Sequence, residues 1–396
     1  MLMTTCWRRH LPWIAISISI AVVACHSEPY DTPPEAALGP RTTGDEIQLT
    51  YSDEQDYWPA WTEDGQGILY AFVDPSHPRH RCIGMLPAAG GTRRWQLCDN
   101  RGIRNDTLSS YGAFALDTAG RLLVAEATSP TGRYDPVPRV TLWVADTADP
   151  YHRQQLLVLP VTVGTMPVTW LAELQWTGPT TFLALGQQVA TETEEGIPTD
   201  TSFSSGGIVV EGTIADGHAT LRPIAGTDSA TGYSLAEGGS VIAFSRRHDL
   251  RVATVPRSGG VATPAPIIRS GPDSAALVLQ EIDGLSCVAT SCIVAIDRFI
   301  AFGTYVSSNA PGCSLSAPLC TDFGARWPGV HSLHRISLTT GGDDVLTTDG
   351  RTISTPLLSP VNGDLVVQLD GLWGHLQSRQ SVSADGNIWL MKGVGQ

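Results

Sequence analysis

The sequence predicts an all-β fold, a six-bladed β-propeller closed by pairing an N-terminal strand with the C-terminal blade, on three observations. A unit of four short strands recurs about six times between residue 45 and the end. Asp-Gly and Gly-Gly pairs of the kind that turn tight hairpins separate many of the strands. The last copy lacks a fourth strand while a spare strand stands ahead of the first, which is how a ring closes and loses its free edges.

Taken in order, Ile47-Gln48-Leu49-Thr50 is the spare strand. The first unit runs from Pro59-Ala60-Trp61 through a turn at Asp64-Gly65 to Gly67–Phe72, then Cys82–Leu86, Gly90-Gly91 and Trp95–Leu97. Ala113–Asp117, Leu122–Ala125 and Thr141–Ala145 with a turn at Asp149-Pro150 make the second. A third has Leu174–Trp176, Thr181–Leu185, Gly207–Val210 and a turn at Asp216-Gly217. The fourth has Tyr233–Leu235, Val241–Phe244, Leu250–Thr254 and Gly259-Gly260. In the fifth, Cys292–Ile296 and Ser332–Ile336 are clear strands but the first is obscure. The sixth has Pro356–Ser359, Leu365–Val367 and Asn387–Met391. Because the fifth is poorly marked, seven blades, or five with an insert, stay open.

The first copy, Pro-Ala-Trp-x-x-Asp-Gly-x-x-Ile-x-Tyr at residues 59–70, resembles the PD40 (WD40-like) repeat of the TolB-like propeller family. The resemblance covers residues 45–396 and implies a propeller of the cell envelope. True TolB is the soluble periplasmic partner of the Tol-Pal system. This chain is read as having no room for an N-terminal domain and as carrying its own lipid, so the resemblance extends to the fold and not to that partner.

Arg8 and Arg9 ahead of the apolar stretch Leu11 to Ala24 read as an export signal. Its end, Val22-Val23-Ala24-Cys25, resembles the lipobox of bacterial lipoproteins, which implies lipidation of Cys25. His26 rather than Asp after the Cys implies the outer membrane in a two-membrane host. The expected organisation is a signal peptide at 1–24, a flexible Pro-rich tether at 25–44 and the propeller at 45–396. Expected localisation is therefore the bacterial cell envelope, lipid-anchored, facing the periplasm or the surface.

With 25 basic against 39 acidic residues and a net charge of −14, no run of cations makes the stripe that a phosphate backbone needs, and nucleic acid is excluded as a partner. Of eight Cys, Cys6 lies in the signal and Cys25 is the lipid site. Sequence order pairs the remaining Cys82 with Cys98, Cys287 with Cys292 and Cys313 with Cys320, although other connectivities are open. A zinc cluster is the competing reading, against which no Cys-x-x-Cys occurs.

With strands lettered a to d from the axis outward, the long segments fall between b and c, at 74–81, 128–140, 187–206, 303–331 and 370–386. In an antiparallel blade the b–c and d–a connections emerge on one side, so that face is the expected binding surface. Strand order sends toward it Tyr57, Trp58, Tyr111, Tyr233, Arg246, Arg247 and His248, with Arg326, Trp327, Trp373 and His375 in the long loops. Aromatic and Arg side chains are frequent interface anchors. Packing between blades is the alternative for Trp58, as for Trp61, Trp143, Trp176 and Trp389.

Catalytic patterns are sparse. There is no Gly-x-Ser-x-Gly elbow. Ser383–Trp389 resembles the sialidase Asp-box with one residue missing, and is read as a b–c turn. His77/His80 and His331/His334 are read as no metal site, and no cofactor or metal is expected. Glu281, Asp283, Asp228 and Asp106 are the acids nearest to inner-strand ends. The expected function is non-enzymatic binding of an envelope or secreted protein, a peptide or a glycan by a monomer held at the membrane through its lipid. The alternative is a propeller enzyme, a lyase or glycoside hydrolase, with an axial carboxylate site. A structural role in an envelope assembly is a third reading.

Overall fold

The computed structural model of the chain describes residues 41–43, 46–50, 56–74, 77–98, 108–129, 139–194, 197–203, 206–246, 249–264, 278–300, 332–347, 352–370 and 387–395. Position within the disc decides the character of each strand. Second strands have a blade on both faces, and Thr181–Gln187 is accordingly buried at five consecutive positions. Third strands alternate more, as Arg139–Asp146 does, and the outer Asp149–Val158 is mostly wet.

Blade 1 orders Asp56–Trp61, Gly67–Asp74, His77–Pro87 and Trp95–Leu97 from the axis outward. Blade 2 is Leu108–Leu116, Arg121–Ser129, Arg139–Asp146 and Asp149–Val158; blade 3 is Trp170–Gly178, Thr181–Gln187, Ile208–Ala215 and His218–Pro223. Blade 4 is Ala230–Ala236, Val241–Arg246, Asp249–Pro256 and the short Thr263–Pro264; blade 5 is Val278–Val288, Ser291–Ile300, Ser332–Ser337 and Asp343–Thr347. Blade 6 takes Thr352–Leu358, Leu365–Asp370 and Asn387–Met391 from the C-terminal part of the chain and Glu46–Gln48 from the other end, in the register Glu46↔Met391, Ile47↔Leu390 and Gln48↔Trp389. All these in-blade pairings are antiparallel.

The core is six separate clusters, one at each blade boundary. Phe114, Leu122 and Trp143 pack with Leu69 and Ile83 between blades 1 and 2. Trp176 and Phe182 join Leu123 and Leu142 between blades 2 and 3. Phe244 packs on Leu183 and Leu185, Ala243 and Val252 on Leu285 and Val294, and Ile293 and Leu333 on Leu365 and Val367. The sixth cluster joins Ile68, Tyr70 and Phe72 of blade 1 to Val366, Ile388 and Leu390 of blade 6. Six boundaries with no open side require a closed ring of six. The chain is a six-bladed β-propeller.

Several details depart from the sequence reading. The obscure first strand of blade 5 is Val278–Val288, 11 residues long. Within it, a Cβ on Gly284 would lie 2.3 Å from Cδ of Pro356, so glycine there permits close approach of the inner strands of blades 5 and 6. In blade 1 the stretch 74–81 is mostly strand, because His77–Pro87 pairs with Gly67–Asp74 as far as Asp74↔His77. Within 187–206, Val189–Glu194 and Ile197–Phe203 form a polar hairpin of their own. Another small hairpin, Val161–Val163 with Met166–Val168, links blades 2 and 3. Arg41–Thr43, read as part of the tether, adds a fifth strand outside Glu46–Gln48. Disulfides join Cys82 to Cys98 and Cys287 to Cys292, with S–S distances of 2.05 and 2.03 Å; Cys25, Cys313 and Cys320 lie outside the described residues.

Candidate functional site

Each inner strand bulges against the second strand it pairs with, and that of blade 3 has a further extra residue between Trp176 and Gly178. The bulge common to all six falls between Tyr57 and Ala60 in blade 1, Tyr111 and Ala113 in blade 2, and Ala172 and Gln175 in blade 3. It falls between Ala230 and Gly232, Ile282 and Gly284, and Ser354 and Leu357 in the other three. A ring of six bulges therefore surrounds the axis, and bulges re-aim side chains and release backbone groups from the ladder. Trp58, Glu173 and Thr355 take positive φ of 49°, 51° and 50° there.

Among the described residues, four side chains bind the backbone of the next blade. The Tyr233 N–H donates to Glu173 Oε2 at 3.0 Å. The Cys287 N–H donates to Ser234 Oγ and the Leu358 N–H to Ser286 Oγ, both at 2.8 Å. The Trp58 N–H reaches Gln368 Oε1 at 3.4 Å. Hydroxyl or amide oxygens suffice at three of these joints, whereas the joint of blades 3 and 4 uses a carboxylate.

That carboxylate is reached by water, although it sits on the innermost strand. Its strand is the innermost of blade 3, so the side chain stands next to the axis of the ring. Burial among the blades pushes its carboxyl from 4.5 up to about 7, against the opposing pull of the Tyr233 N–H. Among the described residues no cation or second carboxylate acts on it. Tyr233 is itself buried, and its Oη donates to the Glu173 carbonyl oxygen at 2.5 Å. Burial first, and the Glu173 charge second, hold the phenol well above its ordinary range. Beside them Thr231 Oγ1 and the buried Ser245 Oγ are 3.0 Å apart. Asp56 is fully buried on the inner strand of blade 1.

Of the expected binding-face residues, the side chains of Trp58, Tyr233 and Arg246 are described. Trp58 packs half-buried in the cluster between blades 1 and 2, and Tyr233 is part of the wall at the joint of blades 3 and 4. Arg246 is a brace: it donates to Asp228 O at 3.2 Å and Gly226 O at 3.4 Å and covers the Phe244 ring at 4.8 Å. Tyr57 and Tyr111 lie on inner strands. Arg247, His248, Arg326, Trp327, Trp373 and His375 fall outside the described residues, as does Asp106. Asp228 is exposed between blades 3 and 4, and Glu281 and Asp283 lie on the inner strand of blade 5. Indole packing accounts for Trp61, Trp143 and Trp176, whose Nε1 groups donate to Leu357 O, Glu126 Oε2 and Ala115 O. His334 is buried with Nδ1 2.7 Å from Asp343 Oδ1, and no metal-binding group of three or more side chains occurs among the described residues.

Sequence reading missed Glu173. It took the inner strand of blade 3 from Leu174, whereas the strand starts at Trp170. A charged residue in the apolar run Leu171 to Trp176 was the available signal.

No protein-family model matches the chain, and no curated protein matches it. Among solved structures it is similar to a luciferin-regenerating enzyme, at 13% identity and TM-score 0.50 over 90% of this chain and 96% of the other. It also matches regucalcin, a calcium-binding protein from Agrobacterium tumefaciens, at 14% identity and TM-score 0.45 over 85% and 89%. A gluconolactonase from Xanthomonas campestris matches at 12% identity and TM-score 0.44 over 92% and 94%. At these identities the likeness concerns the β-propeller fold. The expectation of a non-enzymatic binding propeller is nevertheless corrected: a solved propeller similar to this chain along nearly its whole length is a named enzyme, and Trp58, Tyr233 and Arg246, assigned to a binding face, are used in packing and bracing.

Proposed function

We propose that this propeller is an enzyme of lyase type whose acid–base group is Glu173, working beside the axis of the ring. What carries the reading is an isolated, water-reached carboxyl held at about 7 at a joint where a neutral acceptor would serve the structure equally. A lone charge there is costly to keep, and a proton-transfer group is most effective when its pKa lies near the working pH. In its ionised form Glu173 removes a proton from a carbon next to a carbonyl. The released electron pair forms a carbon–carbon double bond as the β-substituent departs with its own bonding pair, and the protonated Glu173 returns the proton to that leaving oxygen. Glycoside hydrolysis needs a second carboxyl about 5–10 Å away, whereas elimination needs only the one group, so elimination is the reading adopted.

The test is to compare the protein with Glu173→Gln on a panel of ester, lactone and uronate elimination substrates, reading the ultraviolet absorbance of the conjugated product. Loss of turnover of about a hundredfold or more in Glu173→Gln supports the reading; an activity indifferent to the substitution overturns it. TolB-like membership rests on the motif at 59–70 and goes with a second proposal, that the mature enzyme is held in the bacterial envelope by lipid on Cys25. Unchanged membrane fractionation of Cys25→Ser contradicts that anchoring.

A further inference from the structure

Tyr233 meets Glu173 twice and in two different ways. Its backbone N–H donates to carboxylate Oε2 at 3.0 Å, and its phenol, from the other end of the same residue, donates to the Glu173 carbonyl oxygen at 2.5 Å. One residue of blade 4 thus holds both the side chain and the backbone of one residue of blade 3. Backbone restraint matters here because Glu173 occupies a bulge with φ of 51°, a conformation that persists only when its surroundings fix it. Oε2 is committed by this clamp, whereas among the described residues Oε1 accepts no hydrogen bond. A Cβ on Gly232 would stand 3.3 Å from Oε1 and 3.4 Å from Ser245 Oγ. Glycine at that position leaves the space beside Oε1 open.

We infer that Oε1 is the oxygen of Glu173 that meets substrate, that Tyr233 is the positioning residue that fixes it, and that Gly232 keeps the approach to it clear. This rests on the proposed acid–base role of Glu173 and assigns that role to one atom. Work is divided within one carboxyl group: Oε2 anchors and Oε1 transfers the proton. Tyr233 touches no reacting atom in this scheme, and its effect on catalysis passes entirely through Glu173.

The clamp is tested on the intact protein by following the Glu173 carboxyl carbon through a pH titration by NMR, the signal being assigned by its loss in Glu173→Gln. Tyr233→Phe keeps the ring and the N–H but removes the bond to the carbonyl. Its midpoint is expected to fall measurably toward the ordinary carboxylate range, because the Glu173 backbone, no longer held through its carbonyl, can shift the carboxyl toward water. An unchanged midpoint in folded Tyr233→Phe overturns the positioning role. Gly232→Ala leaves both Tyr233 bonds in place and serves if the first variant does not fold. On a substrate found with the panel, it is expected to lower kcat/KM by about tenfold or more while thermal stability stays near that of the parent. Full activity in Gly232→Ala overturns the assignment of Oε1. Because the titration needs no substrate, the clamp can fail while Glu173 still proves catalytic, and the reverse outcome is equally visible.

Discussion

Replacing Glu173 by Gln should make the protein more stable above neutrality and leave it unchanged in acid. Gln keeps an oxygen for the Tyr233 N–H but cannot ionise. In the parent, the folded state raises the carboxyl from 4.5 to about 7, so between these values the native protein binds a proton that the unfolded chain has released. Stability from this group is therefore fully present below about 4.5 and falls as pH rises to about 7. At full burial the loss would be ~3.4 kcal/mol. Glu173 is exposed to water, so about 1 kcal/mol is expected to survive screening. The assay is thermal unfolding of parent and variant at about pH 4 and about pH 8. Equal midpoints in acid, with Glu173→Gln higher by roughly 1–2 °C in base, are expected. A difference that is the same at both pH values, or that favours the parent in base, refutes the burial argument.

Leu390→Ala empties a site that is 2% exposed in the cluster joining blades 6 and 1, and chemical denaturation should register a loss of about 2–5 kcal/mol. Gly284→Ala forces a methyl group to within 2.3 Å of Pro356, and the same measurement should give about 1–3 kcal/mol. Replacing both Cys82 and Cys98 by Ser opens a link across a separation of 16 residues and should cost ~3 kcal/mol under non-reducing conditions, with no further effect of reductant at this pair.

The blades were legible because each strand keeps a fixed place in the disc. Runs such as Phe182 to Leu185 and Ile242 to Phe244 are apolar because a blade packs on either side, and their spacing reveals the repeat. Closure was legible from counting strands, with Ile47 opposite Leu390. Bulges hid the rest. One extra residue reverses the alternation of a strand halfway along it, so the inner strand of blade 5 stayed obscure and that of blade 3 was begun one residue after Glu173. Polar alternation at Thr191 to Thr201 concealed a hairpin that carries no apolar face in its sequence. Aromatic and Arg side chains were assigned to a binding face from strand order alone, and order does not reveal that Trp58 turns into a blade boundary or that Arg246 folds back on Phe244.

The same bulges that obscured the pattern place the candidate acid–base group. The most direct test of the account is therefore the titration of the Glu173 carboxyl in the unmodified protein, followed at its carboxyl carbon. A midpoint raised above the ordinary 4.5 in the direction of about 7 is the predicted result. A midpoint at the ordinary 4.5 would make Glu173 a surface-like carboxylate that happens to accept a backbone N–H, and would remove the basis for catalysis at the axis.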